Sequence, residues 1–198
     1  MVNHIYQFKI TLLTITPPIW RRILVPDNYN FWDLHVAIQD AMGWLDYHLH
    51  TFRMRRKHSR KIAEIGIPND DRFDDEPEIL PGWEVKISDY FHELGTKAEY
   101  EYDFGDGWLH EILLEGHLIK EKSLKYPLCI SGDRACPPED CGGESGYFRL
   151  LEILSNPHHE EYQEMLEWIG KSFSPERFNP KSVKFDNPKK RWKNAFND

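Results

Sequence analysis

The chain has 198 residues, 40% hydrophobic and 14% aromatic, so one substantial apolar core can form without disulfide staples. A formal net charge of −8 argues against a protein whose main ligand is a phosphate backbone, because such proteins take most of their affinity from a basic face. Three cysteines, an odd number in a mid-sized chain, do not make an extracellular disulfide framework.

His4 to Ile15 alternates as a strand, with Tyr6, Phe8, Ile10 and Leu12 on one face at period two. Thr16-Pro17-Pro18 interrupts it, and Ile19 to Val25 resumes as a second strand ending at Pro26, which predicts an antiparallel hairpin. Arg21 and Arg22 then point to opposite faces. Phe31, Leu34, Ile38, Met42 and Leu45 recur at helical spacing, predicting a helix over Phe31 to Trp44 with Asn30 as N-cap and Gly43 near its end. His48 to Arg55 alternates again, placing His48, His50 and Phe52 on one strand face. Gly66 to Gly82 reads as a long surface loop and Trp83 to Ile87 as a short strand. Ser88 to Leu94 reads as a helical turn stopped by Gly95.

Lys97 to Phe104 and Trp108 to Glu121 read as two strands joined by Gly105-Asp106-Gly107, where glycine admits the positive φ of a tight turn. Tyr147, Leu150, Leu151 and Leu154 mark a helix after the cysteine loop. Pro157 to Lys171 marks another, with Tyr162, Met165, Leu166 and Ile169 inward. A last helical turn falls at Pro188 to Phe196. Strands precede helices, so the expected class is α+β: a mixed, largely antiparallel sheet with a crossing helix, a β-grasp-like start and C-terminal helices. One domain is expected over residues 1–198, with a strand-rich core in 1–121 and the cysteine loop and C-terminal helices in 122–198.

The N-terminus, Met1 to Phe8, has no signal-peptide pattern, and no apolar run approaches the ~20 residues of a membrane span. The expected location is the cytoplasm, with no membrane partner. Charge is uneven along the chain. Arg53 to Lys61 and Lys181 to Lys193 are basic and Asp70 to Glu78 is acidic, a pattern of solvated faces that partly neutralise one another.

Two loops concentrate groups that packing does not require: Tyr102-Asp-Phe-Gly-Asp-Gly-Trp-Leu-His110 and Cys136-Pro-Pro-Glu-Asp-Cys-Gly-Gly143. Cys136 and Cys141, with His48 and His50, offer the sulfur and nitrogen donors that zinc favours, although C-x4-C lies at the wide end of knuckle spacing and no second Cys pair exists. Zinc is the cofactor this set would take. The structural alternative is a pair of buried thiols in a loop shaped by its prolines and glycines. Asp103, Asp106 and His110 bracket the hairpin turn. With Glu139 or Asp140 arriving from the cysteine loop, they form the candidate acid–base set. The alternative has Asp106 bonding turn amides and His110 half buried. His35 reads as a core histidine with a satisfied ring. Trp20, Trp32, Trp44, Trp83 and Trp108 read either as core or as the floor of a pocket. Gly142-Gly143 precedes a helix whose amides could bind an anion.

The phrases Pro18 to Pro26, Leu34 to Ile38, Gly43-Trp44, His48 to Phe52, Tyr102 to His110 and Cys136 to Gly143 together resemble the Ri-plasmid open-reading-frame-three family, often labelled transposon TnpR-like. The resemblance covers most of the chain and implies no catalytic residue set. The resolvase label meets no support in the residues. The first serine is Ser59, far from the N-terminal position a serine nucleophile needs, and no tyrosine is ringed by Arg and His. No basic recognition helix of a helix-turn-helix follows either. Recombinase activity is therefore rejected. The expected function is a non-enzymatic interaction or regulatory domain in a plasmid or transposon context, with a protein or small-molecule partner and no tight DNA binding of its own. The alternative is a small metal-dependent, hydrolase-like enzyme using the same residues.

Overall fold

A computed structural model describes residues 4–55, 61–68, 78–170 and 173–196. Its centre is an eight-stranded sheet of β1 (His4–Leu12), β2 (Ile19–Pro26), β3 (His50–Arg55), β4 (Ile62–Gly66), β5 (Ile79–Pro81), β6 (Lys97–Tyr102), β7 (Trp108–Ile119) and β8 (Leu128–Asp133). The spatial order is β5-β4-β3-β6-β7-β1-β2-β8, antiparallel throughout except for the β4–β5 pair. The class is α+β with a mixed, mostly antiparallel sheet, as the residue patterns predict. The opening hairpin pairs Ile5 with Pro26 through Leu12 with Ile19, and β7 and β6 lie between β1 and β3.

Helix α1 (Phe31–Met42) follows the second strand. Asn30 Oδ1 accepts from the Asp33 amide at 2.7 Å, while Asp33 Oδ2 accepts from the Asn30 amide at 3.3 Å. This reciprocal cap satisfies two amides that the first turn would leave bare. Gly43, at φ +98°, ends the helix in the left-handed region that glycine enters without steric cost. The helix packs against β2 near one end of the sheet and β4 near the other, so it crosses the sheet. Phe31 meets Phe52 and Tyr90 edge-on, and Phe8 meets Phe91 likewise. This aromatic layer supplies much of the apolar burial that drives folding.

Helix α2 (Gly143–Ser155) buries Tyr147, Leu150 and Ile153, and α3 (Tyr162–Ile169) runs beside it with Met165 and Ile169 against the core. A last helix, α4 (Pro188–Phe196), packs on α1. Arg21 is buried where Arg22 is not. Its Nε donates to Ala41 O, its Nη1 to Trp20 O and Asp133 O, and Phe178 lies 3.6 Å over its guanidinium.

Several sequence expectations are corrected. Trp83 to Ile87 is a turn, with Lys86 making a single bridge to Asn30, and the helical turn that follows is a short 3-10 turn at Ile87–Asp89. β4, β5 and β8 lie in segments with no readable alternation, and both ends of the expected Gly66 to Gly82 loop belong to the sheet. The middle of that loop, with most of the acidic stretch from Asp70 to Glu78, lies outside the described residues. So do residues 56–60 of the basic run, and Lys171 at the end of the expected Pro157 to Lys171 helix. α3 starts only at Tyr162. Among the described residues no helix is long and apolar enough to cross a membrane.

Candidate functional site

Three segments meet at one end of the sheet: the 44–49 stretch after α1, the β6–β7 turn and the cysteine loop. Their joints are polar and specific. Asp103 N donates to Leu49 O at 3.0 Å and Tyr47 N to the Tyr102 hydroxyl at 3.0 Å. The Tyr102 hydroxyl in turn donates to Glu139 Oε1, and Glu139 Oε2 accepts from the Leu45 amide at 2.8 Å. Trp44 Nε1 donates to Pro137 O at 3.0 Å, and the Gly142 amide donates to Asp106 Oδ2 at 3.2 Å. A Cβ on Gly143 would stand 2.7 Å from Asp106 O and one on Gly146 only 1.9 Å from Cys141 O. Gly143 is therefore what lets the cysteine loop press against the hairpin turn, and Gly146 what lets that loop fold back on the start of α2.

Within this junction His48, Asp103 and Asp140 each present one ligand atom, all within 4.8 Å of one another, the only such His/Cys/Asp/Glu trio among the described residues. His48 Nε2 lies 2.8 Å from Asp140 Oδ1 and 3.5 Å from Asp103 Oδ2. Asp103 Oδ1 is occupied by the turn, accepting from the Gly105 and Asp106 amides at 2.9 and 3.2 Å, which leaves Oδ2 turned to the imidazole. Both aspartates hold left-handed backbone, φ +55° at Asp103 and +56° at Asp140. That conformation is uncommon for residues with a Cβ and clusters at functional sites. Burial works to lower the His48 pKa, but the Asp140 hydrogen bond and the charges of Asp103, Asp140 and Glu139 outweigh it and raise the value.

The other site candidates sit elsewhere. Asp106 holds the start of α2, and Glu139 lies under Tyr102 rather than in the trio. His110 is fully buried against Trp44 and Tyr100, with Nδ1 3.0 Å from Trp108 O; burial, the largest influence, brings its pKa down to about 4. His50 is buried and stacks on His35 at 3.5 Å between ring centroids, 9° from parallel, and burial lowers its pKa well below the usual value. His35 is satisfied on both nitrogens, by Tyr100 Oη at 2.8 Å and Asp46 Oδ1 at 2.7 Å. Cys136 and Cys141 are half-buried and pack against the core, and their sulfur atoms are not part of the trio. Burial raises both thiols, Cys141 to about 12, so both stay protonated unless a metal displaces the proton. His48, His50, Cys136 and Cys141 are thus parted between a solvent-facing trio, a buried imidazole stack and a thiol layer.

Residue type alone did not single out Asp46 or Tyr102. Asp46, at φ +64°, joins His35 to the surface, and Tyr102 ties the 44–49 stretch to the cysteine loop. The available signal was their position beside Trp44 and Asp103.

The model of the plasmid pRiA4b ORF-3-like protein family matches residues 4–182. The chain belongs to that family. An uncharacterized protein, y4hQ, from Sinorhizobium fredii is 36% identical over 173 residues, covering 87% of this chain and 84% of the relative. A crystal structure of a protein of unknown function from Methanosarcina mazei Go1 matches with a TM-score of 0.83 and 42% identity, covering 93% of this chain and all of that one.

Proposed function

We propose that this member of the plasmid pRiA4b ORF-3-like family is a non-enzymatic interaction or regulatory domain, working as one cytoplasmic unit, whose binding surface is the junction of the 44–49 stretch, the β6–β7 turn and the cysteine loop. One observation carries this reading. The segments that build the trio, with the first turns of α2, also expose Leu45, Tyr47, Leu49, Phe104 and Phe148, each between 40% and 69% accessible. Large apolar side chains around a charged centre are the anatomy of a recognition surface for a protein or small molecule. The TnpR label is not adopted, because Arg53 in the basic run already faces Glu64, Glu99 and Glu101.

His48, Asp103 and Asp140 supply nitrogen and oxygen donors that zinc accepts, and we assign them as the metal ligands of this surface. The Asp140 side chain is 62% exposed and that of His48 33%, so a bound ion would keep an open coordination position. That openness favours the second reading, a small metal-dependent hydrolase, because catalytic zinc keeps three protein ligands and one exchangeable site.

Titration calorimetry with zinc on the full chain should give one site, weakened about tenfold or more in His48→Ala and in Asp140→Asn. Binding should strengthen with rising pH as His48 gives up its proton. A site built on Cys136, Cys141 and His50 would instead be lost in Cys136→Ser and survive Asp140→Asn. Turnover of a simple ester or phosphodiester by the zinc-loaded chain, abolished in His48→Ala, would select the hydrolase over the interaction domain.

A further inference from the structure

The family match ends at residue 182, and α4 begins at Pro188. The surface it covers lies inside the matched span. Trp192 packs edge-on to Trp32 at 5.2 Å and against Trp83 at 4.5 Å, and Phe196 meets the same two rings at 5.6 and 6.1 Å. Trp32 Nε1 donates to Pro188 O at 3.1 Å. Arg191 Nη2 donates to Asp40 Oδ1 and Asp186 Oδ2 at 2.6 Å each, and its Nη1 lies 3.7 Å from Asp46 Oδ2. Two tryptophans flanked by two half-buried carboxylates thus receive a helix carrying Lys189, Lys190, Arg191 and Lys193 beside Trp192 and Phe196.

The helix itself is weakly built. Nine residues are too few for an isolated helix to persist in water. Its first turn carries Lys189 and Lys190 and no acid, against the helix dipole, with only Asn187 Oδ1 capping the Lys189 and Lys190 amides at 3.0 and 3.3 Å. None of its residues is fully buried. Clefts of about 350 Å³ and 570 Å³ flank the 185–195 stretch, the first beside Trp44 to Asp46 and the second beside Tyr29 and Tyr126. A few anchors therefore hold it.

We propose that the groove formed by Trp32, Asp40, Asp46 and Trp83 is a docking site for a basic, aromatic helical segment of a partner protein, and that α4 fills it in cis. Charge complementarity names the partner's chemistry: an Arg or Lys seated between Asp40 and Asp46, followed by a Trp or Phe for the tryptophan pair. In the exchange the partner's cation takes the place of Arg191 beside Asp46, the residue that holds His35 at 2.7 Å.

The test uses the full chain and a fluorescent synthetic peptide of residues 183–196. Trp192→Ala/Phe196→Ala should release α4 and bind the peptide at least ten times more tightly than the wild type does. Asp40→Asn in that background, or raised salt, should weaken the complex about tenfold. A folded double variant whose α4 amides exchange freely yet binds no peptide would overturn the proposal. A wild-type dimer joined by exchanged α4 helices would also overturn it, by seating a second copy in the groove. Should the double variant fail to fold, amide exchange in the wild type decides. Amides of 188–196 exchanging orders of magnitude faster than those of β7 support an exchangeable strap, and equal protection overturns it.

Discussion

The ten histidines of the chain are one residue type in at least three physical situations, and acid exposes the difference. His110 and His50 have pKa values depressed by burial, to about 4 for His110. The folded state therefore binds fewer protons than the unfolded chain below the ordinary value of 6.5. Their contribution to stability is complete above that value and is lost as pH falls from it toward 4. For His110 alone, lowering the pH from 7.5 to 5 costs about 2 kcal/mol. His48 runs the other way. Its pKa is raised, so its contribution is present below 6.5 and lost as pH rises through the folded value, but its exposure keeps that term small. Urea denaturation at pH 7.5 and 5 should thus show a net loss in acid, and His110→Gln should reduce the slope. A stability that is flat with pH in the wild type contradicts the burial of these rings. Sequence alternation put His48, His50 and Phe52 on one strand face, yet it carries no depth. His48 precedes the first paired residue of β3 and meets solvent, while two residues later His50 is covered by His35 and Trp32.

Among elements, those with a full period of apolar residues were legible and those set by pairing alone were not. β1, β2, α1, β6 and β7 repeat large side chains often enough to announce themselves, and Asn30 and Gly43 mark both ends of α1. β4, β5 and β8 are short strands toward the sheet margins, where partner registry rather than composition makes a strand. The parallel β4–β5 pair also requires a long connection, which in sequence looks like an unstructured loop. The cysteine loop was legible as a place of chemistry but not in its aim. Its cysteines read as metal ligands and its carboxylates as acid–base groups, whereas Glu139 and Asp106 instead fasten the loop to its neighbours. The fastening depends on Gly146, because a Cβ there would fall 1.9 Å from Cys141 O, far inside contact distance, and the obstacle is backbone. Gly146→Ala should therefore shift the start of α2 and the cysteine loop, with a loss of several kcal/mol typical of overpacking against fixed backbone. Zinc affinity should fall with it, because Asp140 rides on the same loop. A variant as stable as wild type, with Asp140 still beside His48, would show that the loop has slack.

At the scale of the whole molecule the question is what an acidic chain with basic stretches meets. The formal charge is −8, and several of the cations that the described residues carry already face carboxylates. Arg53 faces Glu64, Glu99 and Glu101, Arg22 faces Glu115, Lys97 faces Glu111 and Arg191 faces Asp40 and Asp186. A phosphate backbone must compete for these groups against carboxylates already in place, and each ion pair it breaks forfeits part of the counterion-release gain that drives nonspecific binding. Lys189, Lys190 and Lys193 share one short helix, too few to outweigh the net negative field. Fluorescence anisotropy with an arbitrary 20-base-pair duplex at ~0.15 M salt should accordingly show no saturation at micromolar protein. Neutralising substitutions at Glu99 and Glu101 should raise binding at low salt by freeing Arg53, and the gain should disappear as salt is restored. Tight, salt-dependent binding by the wild type would instead mean that the basic stretches act together as a nucleic-acid face, and the acidic surface around α4 would then have to be read as its regulator rather than as the seat of a basic protein partner.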